Sequence, residues 1–410
     1  MPALLAAALL FITATPPAAA EAASTTAETH LARRSAWAAD YLHQSVLPSG
    51  RFVYRRDLAS GQEIGERYNL LRHAGTLYAL ADYHRSVEPT AQQSDNLRRA
   101  ARFLVDCCVG AVAGMPGALA LWSDPALTGS RLPHVQAKLG GAGLTLVALT
   151  TLDDILPGVT NADVWRGLGE FILAMQRSDG SFVSKYIPAR GGPDTGWDSL
   201  YYPGEVALGL VMLFGHDPDP RWLQGAMDAL RHLARERERS TGLPADHWAL
   251  IASARLFAVD PATLTENAPA AVPWFEAGEV SGLRSVLLAH ASRIVESIVA
   301  EQIPADGDTC LGGGFDQQGR VAPTATRLEG LIAALELLPP GPTRERAETA
   351  IVHGLAFLLE AQQTSGPLRG AVTRVSAACP ATEPRALEVR VDTVQHVLSA
   401  LLGQTRRIVD

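Results

Sequence analysis

The sequence is short of cationic clusters, of cysteine and of long apolar runs, and each shortage removes a class of function. Lys and Arg number 35 against 43 Asp and Glu, a formal charge of −8. No basic run interrupts this mild acidic excess, so nucleic acid is not an expected partner. Only four cysteines occur in 410 residues: Cys107, Cys108, Cys310 and Cys379. They form no C-x-x-C and no His-rich spacing accompanies them, so no metal site and no cofactor is indicated. Cys107 and Cys108 are adjacent on a predicted helix and read as buried apolar fillers. Cys310 and Cys379 fall in predicted loops and could form one bridge. Beyond the N-terminus no stretch is long and apolar enough to span a bilayer. Strand-like alternation is also scarce. It is confined to Arg51-Phe52-Val53-Tyr54, Ala118 to Trp122 and Ser181-Phe182-Val183-Ser184, which read as loop hairpins and not as a sheet.

What the chain does have begins with an export signal over residues 1–20. Leu4 to Ile12 supply an apolar stretch, Pro16-Pro17 break it, and Ala18-Ala19-Ala20 offer an A-x-A cleavage site. No Lys or Arg precedes the apolar stretch, and no Cys follows the cleavage site to carry a lipid. The expected location is therefore periplasmic or extracellular.

The dominant signal is helical. Apolar residues recur with helix period over about 27–46, 68–86, 93–109, 137–152, 161–177, 202–215, 219–237, 246–258, 278–302, 325–338, 343–363 and 391–403. Gly, Pro, Asp and Ser fill the intervals. Odd-numbered segments are amphipathic, as in Asn96-Leu97-Arg98-Arg99-Ala100-Ala101-Arg102-Phe103-Leu104. Even-numbered ones are apolar on every side, as in Val206 to Leu213 and Leu331 to Leu338. A helix apolar all round must be buried all round. Twelve helices alternating in this way predict an outer ring around an inner ring: an all-α, (α/α)6 toroid in one domain over residues 25–410.

Several odd helices end alike. Ala174-Met175-Gln176 runs into Asp179-Gly180-Ser181-Phe182, Glu301-Gln302 into Asp306-Gly307 and then Gly312-Gly313-Gly314-Phe315, and Ala361-Gln362 into Ser365-Gly366. The Gln can bind carbonyls of the helix end or the next turn, and Asp-Gly makes the turn. This ending resembles the repeat of the α/α-toroid proteins, shared by terpene cyclases, protein prenyltransferases and six-hairpin glycosidases. The Asp-x-Asp-Asp acid motif of the squalene and hopene cyclases finds only Asp153-Asp154, at a helix end. The Cys and His ligands of prenyltransferases and lanthionine cyclases have no counterpart. The six-hairpin glycosidase-like branch is what the resemblance leaves.

Each even helix also opens on a polar or aromatic cluster. The clusters are Tyr68-Asn69-Leu70-Leu71-Arg72-His73, Gln136-Ala137-Lys138, Tyr201-Tyr202-Pro203-Gly204-Glu205, Asp246-His247-Trp248, Thr324-Ala325-Thr326-Arg327-Leu328-Glu329 and Arg390 to His396. Inner helices of a hairpin ring run the same way, so these ends should meet at one mouth and form a pocket. Some members have structural explanations. Asp246 and Asp392 suit N-caps, Thr326 to Glu329 fits a capping box, and Pro203 suits a first helical turn. Caps do not explain Arg72, Lys138, Arg327, Arg390, His73, His247 and His396 at the heads of buried helices, because buried cations must be paired.

Paired carboxylates suit glycoside hydrolysis, and aromatic rings suit sugar faces. His or Tyr beside Arg or Lys suits a polysaccharide lyase. The expectation is an exported carbohydrate-active protein, a glycoside hydrolase or polysaccharide lyase. Glu205 would be the acid or base, with Asp392 or Asp246 opposite. Tyr68, Arg72, His73, Lys138, Tyr201, Tyr202, His247, Trp248, Arg327, Glu329, Arg390 and His396 would hold substrate. The alternative is a non-catalytic glycan-binding protein of polysaccharide assembly.

Overall fold

Each of the twelve periodic segments forms a helix in the computed structural model, which describes residues 17–65, 67–259, 277–307, 309–381 and 383–409. The helices are α1 (Pro17–Gln44), α2 (Leu70–His84), α3 (Ala91–Cys108), α4 (Leu139–Ile155), α5 (Ala162–Ala174), α6 (Tyr202–His216), α7 (Pro220–Glu236), α8 (His247–Phe257), α9 (Ala277–Ala300), α10 (Val321–Ala334), α11 (Pro342–Ala361) and α12 (Val391–Val409). A single turn, Pro125–Thr128, adds a minor helix. Residues 1–16, most of the proposed export signal, lie outside the described residues. No described helix is long and apolar enough to cross a membrane.

The even helices each pack against the next, and α12 returns to α2, closing an inner ring. The odd helices lie outside: α3 on α2, α5 on α4, α7 on α6, α9 on α8, α11 on α10, and α1 on α12. Burial follows composition. In α4 every residue from Leu139 to Leu152 is buried. In α7 the buried set is one stripe that includes Trp222, Leu223, Ala226, Leu230 and Leu233. The core runs without a break from Leu31 to Leu402.

The repeated Gln does more than end its own helix. Gln176 Nε2 donates to Gly180 O (3.3 Å) and to Gly225 O in α7 (2.9 Å). Gln302 does the same to Gly313 O (2.9 Å) and Ala350 O in α11 (2.8 Å). Gln362 binds Gly370 O (3.4 Å) and Arg34 O in α1 (3.0 Å), which ties the last hairpin to the first. Each Gln therefore clips one outer helix end to the middle of the next outer helix. Gly180 has φ +89 and sits against the Asp228 carbonyl, where any side chain would collide. In the other two copies this position falls to Gly313 and Gly370, and not to Gly307 and Gly366 as the spacing suggests.

Three expectations need correction. First, α10 starts at Val321, four residues before the periodic pattern. Asp316 accepts from the Gln318 and Arg320 amides and turns the chain early. Thr326 and Glu329 thus lie inside the helix and cannot form a capping box; the Thr326 hydroxyl bonds back to Ala322 O. Second, the loop strands do form a sheet. Strands β2 (Val109–Ala111), β3 (Leu119–Ser123), β4 (Gln136–Lys138), β5 (Lys185–Ile187) and β6 (Gly192–Asp194) join in that order, all antiparallel. A separate pair joins β1 (Arg55–Asp57) to β7 (Glu388–Arg390). Third, Cys107 is exposed and only Cys108 is buried, and their sulfurs are paired with each other. Cys310 and Cys379 form the loop bridge, across a separation of 69 residues. Strand β4 runs straight into α4 and β7 into α12, so both sheets deliver residues to the N-terminal ends of inner helices.

Candidate active site

The site is built where inner helices begin. Asp392, in the first turn of α12, is only 5% exposed and does not act as a cap. It receives Arg72 Nε from α2 at 2.9 Å and Arg390 Nε from the end of β7 at 2.5 Å. Burial alone would raise its carboxyl, but the two guanidiniums hold it below the ordinary value. Tyr54 adds a hydroxyl to Arg72. One helical turn beyond Asp392, on the same face, stands His396. Its Nδ1 lies 2.9 Å from Glu329 Oε2 of α10. The same Glu329 oxygen is 3.8 Å from His247 Nε2, at the head of α8. The two imidazole rings are 5.8 Å apart, edge to face. The Tyr201 ring closes the row at 5.4 Å from His247 and is 39% exposed. Arg72, Arg390, Asp392, His396, Glu329, His247 and Tyr201 thus form one continuous chain of contacts, drawn from four inner helices, a strand end and the loop before α6.

The two histidines are shifted in opposite directions. Burial, with His396 and Arg327 nearby, holds His247 well below the ordinary imidazole range. Neither of its ring nitrogens has a hydrogen-bond partner. Burial also acts on His396, but Glu329, by charge and hydrogen bond, and then Asp392 carry it above that range. Glu329 itself is raised by burial and held back by His396. His247, Glu329 and His396 also form a set of possible metal ligands, with donor atoms within 4.8 Å of one another. Ligands of one zinc ion stand at most about 4.2 Å apart, twice a Zn–N bond. The two separations from Glu329, 2.9 and 3.8 Å, fall within that limit, so the three side chains could hold a metal or pass a proton.

Other expected residues are placed elsewhere. His73 lies in the core between α2 and α3. Its Nδ1 meets Tyr68 Oη at 2.6 Å and its Nε2 meets Ala100 O at 3.0 Å, against Phe52 and Phe103. Asp246 is the N-cap of α8, accepting from Ala249 N, and pairs with Arg237 of α7 at 2.8 Å. It has no exposed surface. Trp248 and Tyr202 are buried, Trp248 against Gly204. Arg327 turns outward to Glu301 at 2.6 Å. Lys138 stands at the N-terminal end of α4 without capping it and borders a cavity of about 320 Å³ with Arg67, Tyr68, Ser130 and Arg131.

Glu205 is packed between α6 and α4, where only a glycine fits, because a Cβ at Gly140 would strike its Oε2. That oxygen is buried without a hydrogen-bond partner, and none of Arg72, Lys138 or Arg327 pairs with Glu205. Burial, with Asp246 adding to it, pushes the Glu205 carboxyl up to about 8. The unfolded chain loses this proton near pH 4.5, so it binds fewer protons than the folded state between there and about pH 8. Stability should fall as the pH rises through that window. Glu205→Gln mimics the protonated form and should flatten this slope. At pH 8 the variant should be more stable by roughly 2–4 kcal/mol, read by thermal melts across pH 4–9. A loss of stability that is the same at every pH would instead mean that Glu205 is ionised and paired.

Sequence reasoning missed Tyr54, Lys185, Trp197 and Gly140. Trp197 is 45% exposed, and the Lys185 ammonium sits 4.0 Å from its ring centre. A signal existed for Lys185 and Trp197, since Lys185 follows the Asp-Gly turn and Trp197 interrupts the Gly-rich segment before α6.

No family model matches the chain, and no curated protein sequence matches it. Solved structures do. An α-1,6-mannanase of Salegentibacter sp. HEL1_6, an inactive variant with two adjacent aspartates replaced and bound to α-1,6-mannotriose, is 12% identical. It superposes with a TM-score of 0.55 over 92% of this chain and 99% of that one. The cellobiose 2-epimerase of Spirochaeta thermophila is 16% identical, with a TM-score of 0.58 over 92% and 96% of the two chains. The cellulase Cel9M of C. cellulolyticum is 9% identical, with a TM-score of 0.54 over 91% and 98%. At such identities it is the fold that is shared: the chain is a six-hairpin (α/α)6 toroid, built like glycosidases and sugar epimerases.

Proposed function

We propose that this protein is an exported carbohydrate-active enzyme that moves a proton at a carbon beside a sugar carbonyl, as a 2-epimerase does. The observation that carries the reading is the pair His247 and His396, which flank one Glu329 oxygen yet are shifted in opposite directions from the ordinary imidazole range. Two titratable groups pushed apart by their surroundings mark an acid and a base. Neutral His247 would take the proton from C2 of an open-chain aldose, and the electron pair would move onto the C1 carbonyl oxygen. Protonated His396 would return a proton to C2 from the other face. The C–H bond broken is the C–H bond re-formed, so nothing else is consumed. Glu329 balances the charge that passes between the rings.

Similarity to a cellobiose 2-epimerase and to a sugar epimerase of a ruminal bacterium supports this reading. This chain also has adjacent aspartates. Asp153 and Asp154 end α4 at the opposite side of the ring, with Asp154 beside Arg85 and His216. The mannanase variants were inactive with such a pair replaced. The apolar segment of residues 4–12 and the Cys310–Cys379 bridge support export, since structural disulfides persist in oxidising compartments.

Glycoside hydrolysis is the second reading, favoured by the burial of Glu205, which pushes its carboxyl up to about 8 as suits a general acid. Incubation with cello- and mannooligosaccharides in D2O separates the two. Deuterium at C2 of the reducing sugar, with no new reducing ends, is the expected result. New reducing ends without deuterium would move the chemistry to hydrolysis at Glu205.

A further inference from the structure

Lys138 and Lys185 stand directly opposite each other on β4 and β5. Residues so paired share one face of the sheet, and like charges there cost stability. Burial, then Lys185 and Arg72, lower the Lys138 ammonium. No described carboxylate lies within ion-pair reach of either lysine. Asp194, the other cross-strand neighbour of Lys185, is turned to Arg190 at 3.6 Å. Lys185 is held over the Trp197 ring instead. Asp392, which Arg72 links to this group, is already shared by Arg72 and Arg390. The opposed lysines, one of them largely withdrawn from water, therefore have no described carboxylate in ion-pair reach.

We propose that Lys138 and Lys185 form a subsite for an anionic group of the sugar, a carboxylate or a sulfate, so that the substrate is an acidic glycan. The inference deepens the proton-transfer reading and rests on it only for the word substrate. The Trp197 ring, exposed beside Lys185, offers the face on which a sugar ring stacks. Arg72 links the subsite to Asp392, and Asp392 to His396 one turn further on. The anionic group would thus be anchored on one side of the mouth and the reacting carbon offered to the histidines on the other.

The test is binding, not turnover. The protein is titrated with acidic oligosaccharides (uronate-containing and sulfated) and with the same molecules after carboxyl reduction or desulfation. Tighter binding of the charged member by tenfold or more is expected, weakening with salt. The preference for uronate or for sulfate identifies the group. Lys138→Met with Lys185→Met should abolish the preference, and Lys138→Arg with Lys185→Arg should retain most of it. Equal binding of charged and neutralised members, binding of neutral members alone, binding of no acidic oligosaccharide, or a preference that survives the double Met substitution would each overturn the proposal. Deuterium exchange by the unmutated protein separates this inference from the proton-transfer reading. If deuterium never enters any sugar but the charge preference holds, the anionic subsite stands and only the chemistry fails.

Discussion

His396→Asn and His247→Asn are each expected to slow turnover by about 10²–10⁴-fold, the usual contribution of a positioned acid or base. Loss of either should stop deuterium entering C2, whereas substrate affinity should change far less. The double variant should be little worse than either single one, because groups that act as a unit are not additive. The pH profile of the native protein follows from the two shifts. Activity should fall as the pH rises through the elevated His396 value, because the acid loses its proton. It should hold to well below the ordinary imidazole range on the acid side, because His247 stays neutral there. Glu329→Gln should shift the alkaline limb downward, since the charge that raises His396 is removed. An alkaline limb that does not move in Glu329→Gln, with deuterium exchange intact in both His variants, would remove this cluster from the chemistry.

Arg237→Met should destabilise the fold by about 3–5 kcal/mol, the cost of stripping one partner from a buried ion pair. Asp246 would remain fully buried with the Ala249 amide alone for company. Adding Asp246→Asn should recover most of the loss, because Asn still caps the helix and carries no charge. Denaturant melts of the two single variants and the double variant give the coupling directly. A near-zero effect of Arg237→Met would mean that water reaches Asp246. The pair also has a bearing on the site. Asp246 fixes the first turn of α8, and His247 is the next residue, so a frayed cap should blur the position of the candidate base.

The alternation of solvated and fully apolar helices, the clipping Gln and the polar heads of the even helices were all legible in the sequence. They specify a two-layer helical ring because periodicity and burial are local properties that each segment carries by itself. Which polar residue faces which was not legible. Asp246, Asp392 and Glu329 look alike as acids near helix starts. One caps and pairs outward with Arg237, one is clamped by two arginines, and one lies between two histidines. His73 and His247 both head buried helices, yet His73 has both ring nitrogens engaged in the core and His247 has neither. The start of α10 shows the reason. Asp316 turns the chain four residues early, and that shift carries Glu329 away from a capping role and into contact with His396. The sequence by itself determined that these helices exist, which of them are buried, and that their polar ends gather. The rotation of each helix about its axis, and with it the partner of every buried charge, was decided only by packing around the closed ring, since it depends on neighbours as far apart in the chain as Arg72 and Asp392.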